Sequence, residues 1–288
     1  MKKSIIWIVI TISVVLVAGV ILSSLTIDKL EINEYEIKDS FKDIKILTNT
    51  ADIEFALSDN SNALIVCEEQ KNVIHQVNVI DNTLLIEIDD NRKWHEHIGI
   101  NFSTPKITVY LPKNEYGKLW VKSNTGDINI PNNFKFASID ILADTGNITT
   151  YASVYENLRI KTGTGNVHVE NINANKFDLS TTTGNLKVVN TKCKNLFSES
   201  DTGNIYLENV IASEKFIIET DTGDVKFKAS DASDIFIETD TGNVTGSLVT
   251  DKVIFAESDT GNIDVPKIMA EEKCEIITDT GDIKITIE

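Results

Sequence analysis

Past the first thirty residues, strong helix formers never recur at helical spacing, which argues against a helical bundle or an α/β layering. Positive charge is scarce too. Lysine and arginine total 27 against 44 aspartates and glutamates, for a formal net charge of -17. An acidic surface of that size repels phosphate backbones and anionic headgroups, which excludes nucleic acid as a partner. Basic partners, divalent cations and neutral glycans stay open, and the plainest meaning is a soluble, self-repelling surface. Only three cysteines occur, Cys67, Cys193 and Cys274. An odd number at no regular spacing is neither a disulfide framework nor a metal-binding pattern. Missing as well are a nucleophile elbow, a phosphate-binding glycine loop, a zinc motif and the hexapeptide pattern of left-handed solenoids.

What is present is strand and turn chemistry: Asn, Asp, Thr, Ile, Val and Gly carry the chain. At 288 residues and 41% hydrophobic composition it can bury one large core or two small ones. The N-terminus opens with 22 uncharged residues, Ser4 to Leu25. As a helix rising 1.5 Å per residue, they span a bilayer core of about 30 Å. Lys2 and Lys3 precede them, while Asp28 and Glu31 follow. The positive-inside rule then puts residues 1–3 in the cytoplasm, a single-pass anchor at 4–25, a linker at 26–36 and the rest outside the cell membrane. A cleaved signal peptide is the competing reading, although Leu-Ser-Ser-Leu is a poor cleavage site.

From 119 to 288 the chain repeats. The turn Thr-Gly-Asn/Asp recurs with glycines at Gly126, Gly146, Gly165, Gly184, Gly203, Gly223, Gly242, Gly261 and Gly281, spaced by 19 or 20 residues. Two residues after each glycine the residue is always aliphatic, from Ile128 through Leu186 to Ile283. Four after it an apolar residue stands again, except at Thr150 and Gly246. Between these rows lie Asn129, Thr149, His168, Lys187, Tyr206, Lys226, Thr245, Asp264 and Lys284, so the segment reads as a strand with one buried face. A second strand precedes the turn. Its apolar column, seven before the glycine, runs from Leu119 to Cys274, and Ser or Thr fills the third position before the glycine except at Ala143.

Such a two-strand unit cannot stand alone, but stacking buries a continuous core. The expected fold is therefore all-β: a single-stranded parallel β-solenoid of 19–20-residue coils, right-handed by the general rule for parallel connections. A meander of tandem hairpins is the alternative. In this scheme Cys274 packs in an aliphatic column, and Cys193 sits in a return loop too far away to pair with it. Residues 37–118 carry further strands at Ala63–Glu68, Val73–Ile80, Thr83–Ile88 and Lys106–Leu111. Asp81-Asn82 reads as a hairpin connection, and Thr50-Ala51-Asp52 as a degenerate turn with alanine for glycine. These are expected to be divergent first coils that cap the membrane-proximal end; a separate small β-domain is the alternative.

Candidate chemistry is sparse. Two residues before the glycine a column of carboxylates stacks, with Asp201, Asp221, Asp240, Asp259 and Asp279 in consecutive coils and Asp144 further off. Neighbours about 5 Å apart repel by roughly 1 kcal/mol in water. Either each Asp caps its own turn through a backbone N–H, or Ca²⁺ sits between adjacent coils. Trp94-His95-Glu96-His97 offers a His-x-His pair, two ligands without a clear third, and reads as a solvated loop. A polysaccharide hydrolase or lyase would break the ladder at one catalytic pair, which this chain does not do. The expectation is a non-enzymatic protein with no cofactor.

The N-terminal anchor, Ile-Thr-Val-Tyr-Leu-Pro at 107–112 and the repeated Ser/Thr-x-Thr-Gly-Asn/Asp-Ile/Val units resemble the putative adhesin family of bacterial membrane-anchored β-solenoids, of the LiaG-like kind. That resemblance implies an extracytoplasmic solenoid at the cell envelope, acting as a sensor or scaffold in envelope-stress response, or as an adhesin or glycan-binding module. It supplies no catalytic residue. Finally, the last apolar strand, Ile285-Thr-Ile287-Glu288, has no cap, so this edge is expected to self-associate or to meet a partner.

Overall fold

The computed structural model describes residues 30–90 and 104–288. The apolar segment at 4–25 and the loop Trp94–His97 lie outside them. Among the described residues there are only strands, turns and bends, and no helix long and apolar enough to cross a membrane.

Each repeat contributes one strand before its Thr-Gly corner and one after it, and both pair in parallel with their equivalents in the next coil. Ile139 faces Leu119 on one side and Leu158 on the other, while Ile148 lies between Ile128 and Val167. The period-two pattern is why: Ile128 and Ile130 are buried while Asn129 is exposed. A short third side closes the coil. There Ile172, Cys193, Val210 and Ala212 point inward, and single parallel bridges join Asn173 to Lys192 and Ile211 to Asp231. One apolar core runs through the stack. Cys193 and Cys274 are buried in it as free thiols, the latter between Ile235 and Ile254.

Stacking follows chain order except at the two ends. The strand Asp234–Thr241 of the Gly242 coil pairs with Lys273–Thr280 of the Gly281 coil, not with Val253–Thr260. The Gly261 coil pairs only with the Gly281 coil. The last repeat of the chain is therefore inserted inside the penultimate one. The end of the stack differs from a simple last repeat: Ile283–Ile287 has Val244–Leu248 along one side, but on the other Ile263–Asp264 reaches only Ile283 and Lys284, which leaves Ile285–Ile287 open there as expected. The terminal Gly261 coil adds a further open edge, Val253–Thr260 with Ile263–Asp264, where Phe255 (59%) and Ile263 (45%) are exposed.

The opposite end mirrors this arrangement. Asp43–Thr50 and Asp52–Leu57 flank the alanine turn and pair in parallel with the Gly126 coil. Ala51 takes the glycine's place, its N–H donating to Thr125 O at 3.0 Å. Thr83–Asp90 and Lys106–Leu111 stack outside this coil, again in parallel. Beyond them pairing turns antiparallel, with Val73–Ile80 on Thr83–Asp90, Ala63–Glu69 on Lys106–Leu111, and Glu31–Ile37 on Ala63–Glu69. Asp81 and Asn82 make the tight hairpin with φ of 48° and 63°, the conformation of a two-residue primed turn.

Candidate functional site

The corners are the most regular surface of the molecule, and three ladders hold them. Along the main chain, each turn glycine N–H except that of Gly261 in the terminal coil donates to the threonine carbonyl of the neighbouring coil, as from Gly203 to Thr222 at 2.9 Å. Beneath, the buried hydroxyl three residues before the glycine donates to the glycine carbonyl of the preceding coil, as from Thr220 to Gly203 O at 3.1 Å. Outside, the Asn or Asp after the glycine accepts from the main-chain N–H of its counterpart one coil on. That chain runs Asp52, Asp127, Asn147, Asn166, Asn185 and Asn204, and passes through Asp224 and Asn243 to Asp282. Glycine is required because an added Cβ at Gly203, with φ of +154°, would lie 1.8 Å from Gly184 O.

The acidic column does none of this. Asp144, Asp201, Asp221, Asp240, Asp259 and Asp279 are exposed and make no hydrogen bond among the described residues. The capping expected of them belongs to the residues three places later and acts between coils rather than within one turn. The side chain one place beyond the glycine reaches its counterpart's N–H in the next coil, whereas the one two places before the glycine faces solvent. Nor do these aspartates converge as ligands. Among the described residues the one group of three metal-ligand side chains within 4.8 Å of one another is Cys67, Glu69 and His75.

That group is buried under the antiparallel cap, and the polar atoms of its Glu69 and His75 are already engaged. Glu69 Oε2 accepts from His75 N–H at 2.8 Å and lies 2.7 Å from His75 Nδ1, while Oε1 accepts from Asn33 Nδ2 at 2.7 Å. His75 Nε2 meets Thr48 Oγ1 at 3.0 Å, and Tyr35 OH donates to His75 O at 2.9 Å. Burial, reinforced by the Glu69 charge, pushes the Cys67 thiol up to about 12, so it stays protonated. A metal would have to break this network; as it stands it ties the cap to the first coil. Sequence reading missed it because Glu69 and His75 look like solvated strand-end residues.

The outward row between the two buried columns is a different surface. Thr149, His168, Lys187, Tyr206, Lys226, Thr245 and Lys284 stand side by side in register. The Tyr151 and His168 rings lie 5.7 Å apart, and Lys187 Nζ sits 5.9 Å from the Tyr206 ring centre. Glu208 accepts from Tyr206 OH at 3.1 Å and from Lys228 Nζ at 3.1 Å; its carboxyl is held below the ordinary range, chiefly by Lys228. Toward the Gly261 end the row borders a groove of about 420 Å³ lined by Asp224, Lys226, Thr245, Asp282 and Lys284.

A profile of the Toastrack DUF4097 family matches residues 41–286, nearly all of the solenoid and its cap. The chain belongs to that family. The Toastrack solenoid is similar to three solved structures, each described as a "putative adhesin". That from Bacteroides fragilis is 18% identical at a TM-score of 0.50, covering 90% of this chain and 97% of the other. The Parabacteroides distasonis structure is 12% identical at 0.55, over 88% and 97%. The one from Parabacteroides merdae is 13% identical at 0.51, over 90% and 96%. These likenesses show the Toastrack fold. No curated protein matches.

Proposed function

We propose that this chain is a non-enzymatic, membrane-anchored binding, scaffold or sensor protein at the bacterial cell envelope, its solenoid extracytoplasmic and tethered by Ser4–Leu25. The observation that carries the reading is the outward row: one polar or aromatic side chain per coil, in register, along a stiff flank. Such a row presents an extended surface to a partner and encloses no reaction centre. Against catalysis stands the dispersal of chemistry. The three thiols are buried and pushed up to about 12, and the exposed acids are spread along the stack. The LiaG-like resemblance of the repeats favours envelope-stress response. Crosslinked pull-down with residues 30–288 tests this: Lys187→Glu with Tyr206→Ala should lose the captured envelope protein, and retention of every partner by that variant counts against the row.

A glycan-binding or adhesin module is the second reading, favoured by the Tyr151, His168 and Tyr206 rings on the same flank. Glycan-array binding abolished by Tyr206→Ala supports it, and a silent array counts against it. Self-association belongs to the proposal too, through the open side of Ile285–Ile287 and the Val253–Thr260 edge beside it, where exposed Phe255 and unpaired backbone groups are offered together.

A further inference from the structure

Lys252 is the one lysine whose side chain is fully buried among the described residues. It opens the terminal Gly261 coil, which pairs on one side only. Its Nζ lies 2.7 Å from Asp231 Oδ1, 2.5 Å from Glu272 Oε2 and 2.9 Å from Thr250 Oγ1. The two oxygens of Asp231 are treated differently. Oδ2 accepts from the main-chain N–H groups of Val249 (2.9 Å) and Thr250 (2.6 Å) and from Thr250 Oγ1 (2.9 Å). Oδ1 is buried and has no aligned hydrogen bond, only the close approach of the amine. The main chain of Asp231 is fixed on both sides, its N–H donating to Val210 O at 2.9 Å and its carbonyl accepting from Ala212 N at 2.8 Å. Glu272 is anchored by its own carbonyl, which accepts from Val253 N at 2.9 Å.

We propose that Lys252 and Asp231 join in an intramolecular isopeptide bond, with Glu272 as the proton shuttle. A buried nucleophile and a buried carboxyl group are held in contact, with partly exposed Glu272 on the solvent side, and positioning of that kind replaces an encounter. Transfer of one proton from the ammonium to Oδ1 gives the neutral amine and carboxylic acid from which the step starts. The amine nitrogen then attacks Asp231 Cγ. Negative charge develops on Oδ2, where two N–H groups and a hydroxyl already point. Glu272 takes the second proton from nitrogen and delivers it to Oδ1, which leaves as water. One C–N bond forms and one C–O bond breaks. Glu272 ends as it began, and no oxidant, metal or co-reactant is needed. Three donors hold Oδ2 in place and turn Oδ1 toward the amine. The bond would staple the return segment of the Gly223 coil to the start of the open terminal coil, whose neighbours hold it least.

The test is tryptic digestion and mass spectrometry of the purified full chain. Without the bond, trypsin cuts after Lys252 and releases Ala229–Lys252 and Val253–Lys267. With it, the amide blocks that cut and Ala229–Lys267 appears lighter by one water. Cleavage after Glu238 then leaves two pieces still joined. Lys252→Arg and Asp231→Ala should restore sequence masses. Asp231→Asn should reach the linked mass of the native chain by expelling ammonia, which assigns the acyl carbon to position 231. Glu272→Gln should slow linkage by about 100-fold or more. Native chain that, after prolonged incubation, still yields only the peptide ending at Lys252 overturns the proposal, and that measurement needs no variant to fold.

Discussion

Two sets of side chains three residues apart are assigned opposite roles at the corners, and a pair of triple variants separates them. Asn204, Asp224 and Asn243 each accept a main-chain N–H from the next coil, at 2.8, 3.0 and 2.9 Å. Asp201, Asp221 and Asp240, in the same three coils, are exposed and accept nothing. Replacing the first three by alanine removes three hydrogen bonds worth about 1 kcal/mol each, and water takes up part of the loss at these half-open sites. The net cost is about 2–3 kcal/mol, or roughly 4–12 °C in Tm for an ordered chain of this size. Replacing the second three leaves each site within about 0.5 kcal/mol and relieves repulsion along the column. Thermal melting of residues 30–288 by circular dichroism reads both, and Ca²⁺ should move neither Tm. The reasoning is refuted if the Asp201/Asp221/Asp240 variant melts lower than the Asn204/Asp224/Asn243 variant, or if calcium stabilises the native chain and not the former.

Gly203→Ala should cost about 3 kcal/mol or more in urea melts, because the Cβ would meet Gly184 O and a positive φ must be held by a residue that resists it; a loss under about 1 kcal/mol contradicts the close approach. The Asp224 carboxyl is held below its ordinary range, first by the Asn243 N–H, so its contribution is complete above that range and fades as pH falls through the folded value. Acid melts of Asp224→Asn should lack that component. Glu219 runs the other way: burial raises it, then repulsion from Glu199 and Glu238, so Glu219→Gln should stabilise at neutral pH and lose its advantage in acid. Cys67, Cys193 and Cys274, buried with thiols pushed up to about 12, should resist maleimide in the folded chain and react after denaturation. Association through the open edge predicts concentration-dependent sedimentation that Phe255→Lys abolishes.

The corners and columns were legible in the sequence because each coil repeats the same demands: an aliphatic at Ile205, a hydroxyl at Thr220, a glycine at Gly203. The hairpin at Asp81-Asn82 was legible for the same local reason, since few residues accept positive φ twice running. The order of the end coils was not. Ile235 finds an equally good neighbour in Ile254 or in Cys274, so the columns that reveal the fold are blind to which coil comes next. Pro266, which lacks an N–H to donate, was the one local hint that the Gly261 coil lies at an edge. Lys252 and Glu69 were unreadable for another reason: each sits in a segment whose polarity looks solvated, and burial comes from chain elements far away in sequence. The capping role was assigned to Asp201 where the structure gives it to Asn204, because spacing identifies a turn without saying which side chain lies along the stack.

The inserted last coil is the feature that separates this solenoid from a simple repeat stack, and engineered disulfides test it directly. Glu238 and Ile277 are register partners on adjacent strands, whereas Glu238 and Glu257 lie two strands apart with Ile277 between them. Adjacent strands sit about 4.8 Å apart, within disulfide reach, while two steps exceed it. In a background with the three native cysteines replaced, Glu238→Cys with Ile277→Cys should oxidise to a mobility-shifted species, and Glu238→Cys with Glu257→Cys should stay reduced. The opposite result would show that the coils stack in chain order to the end.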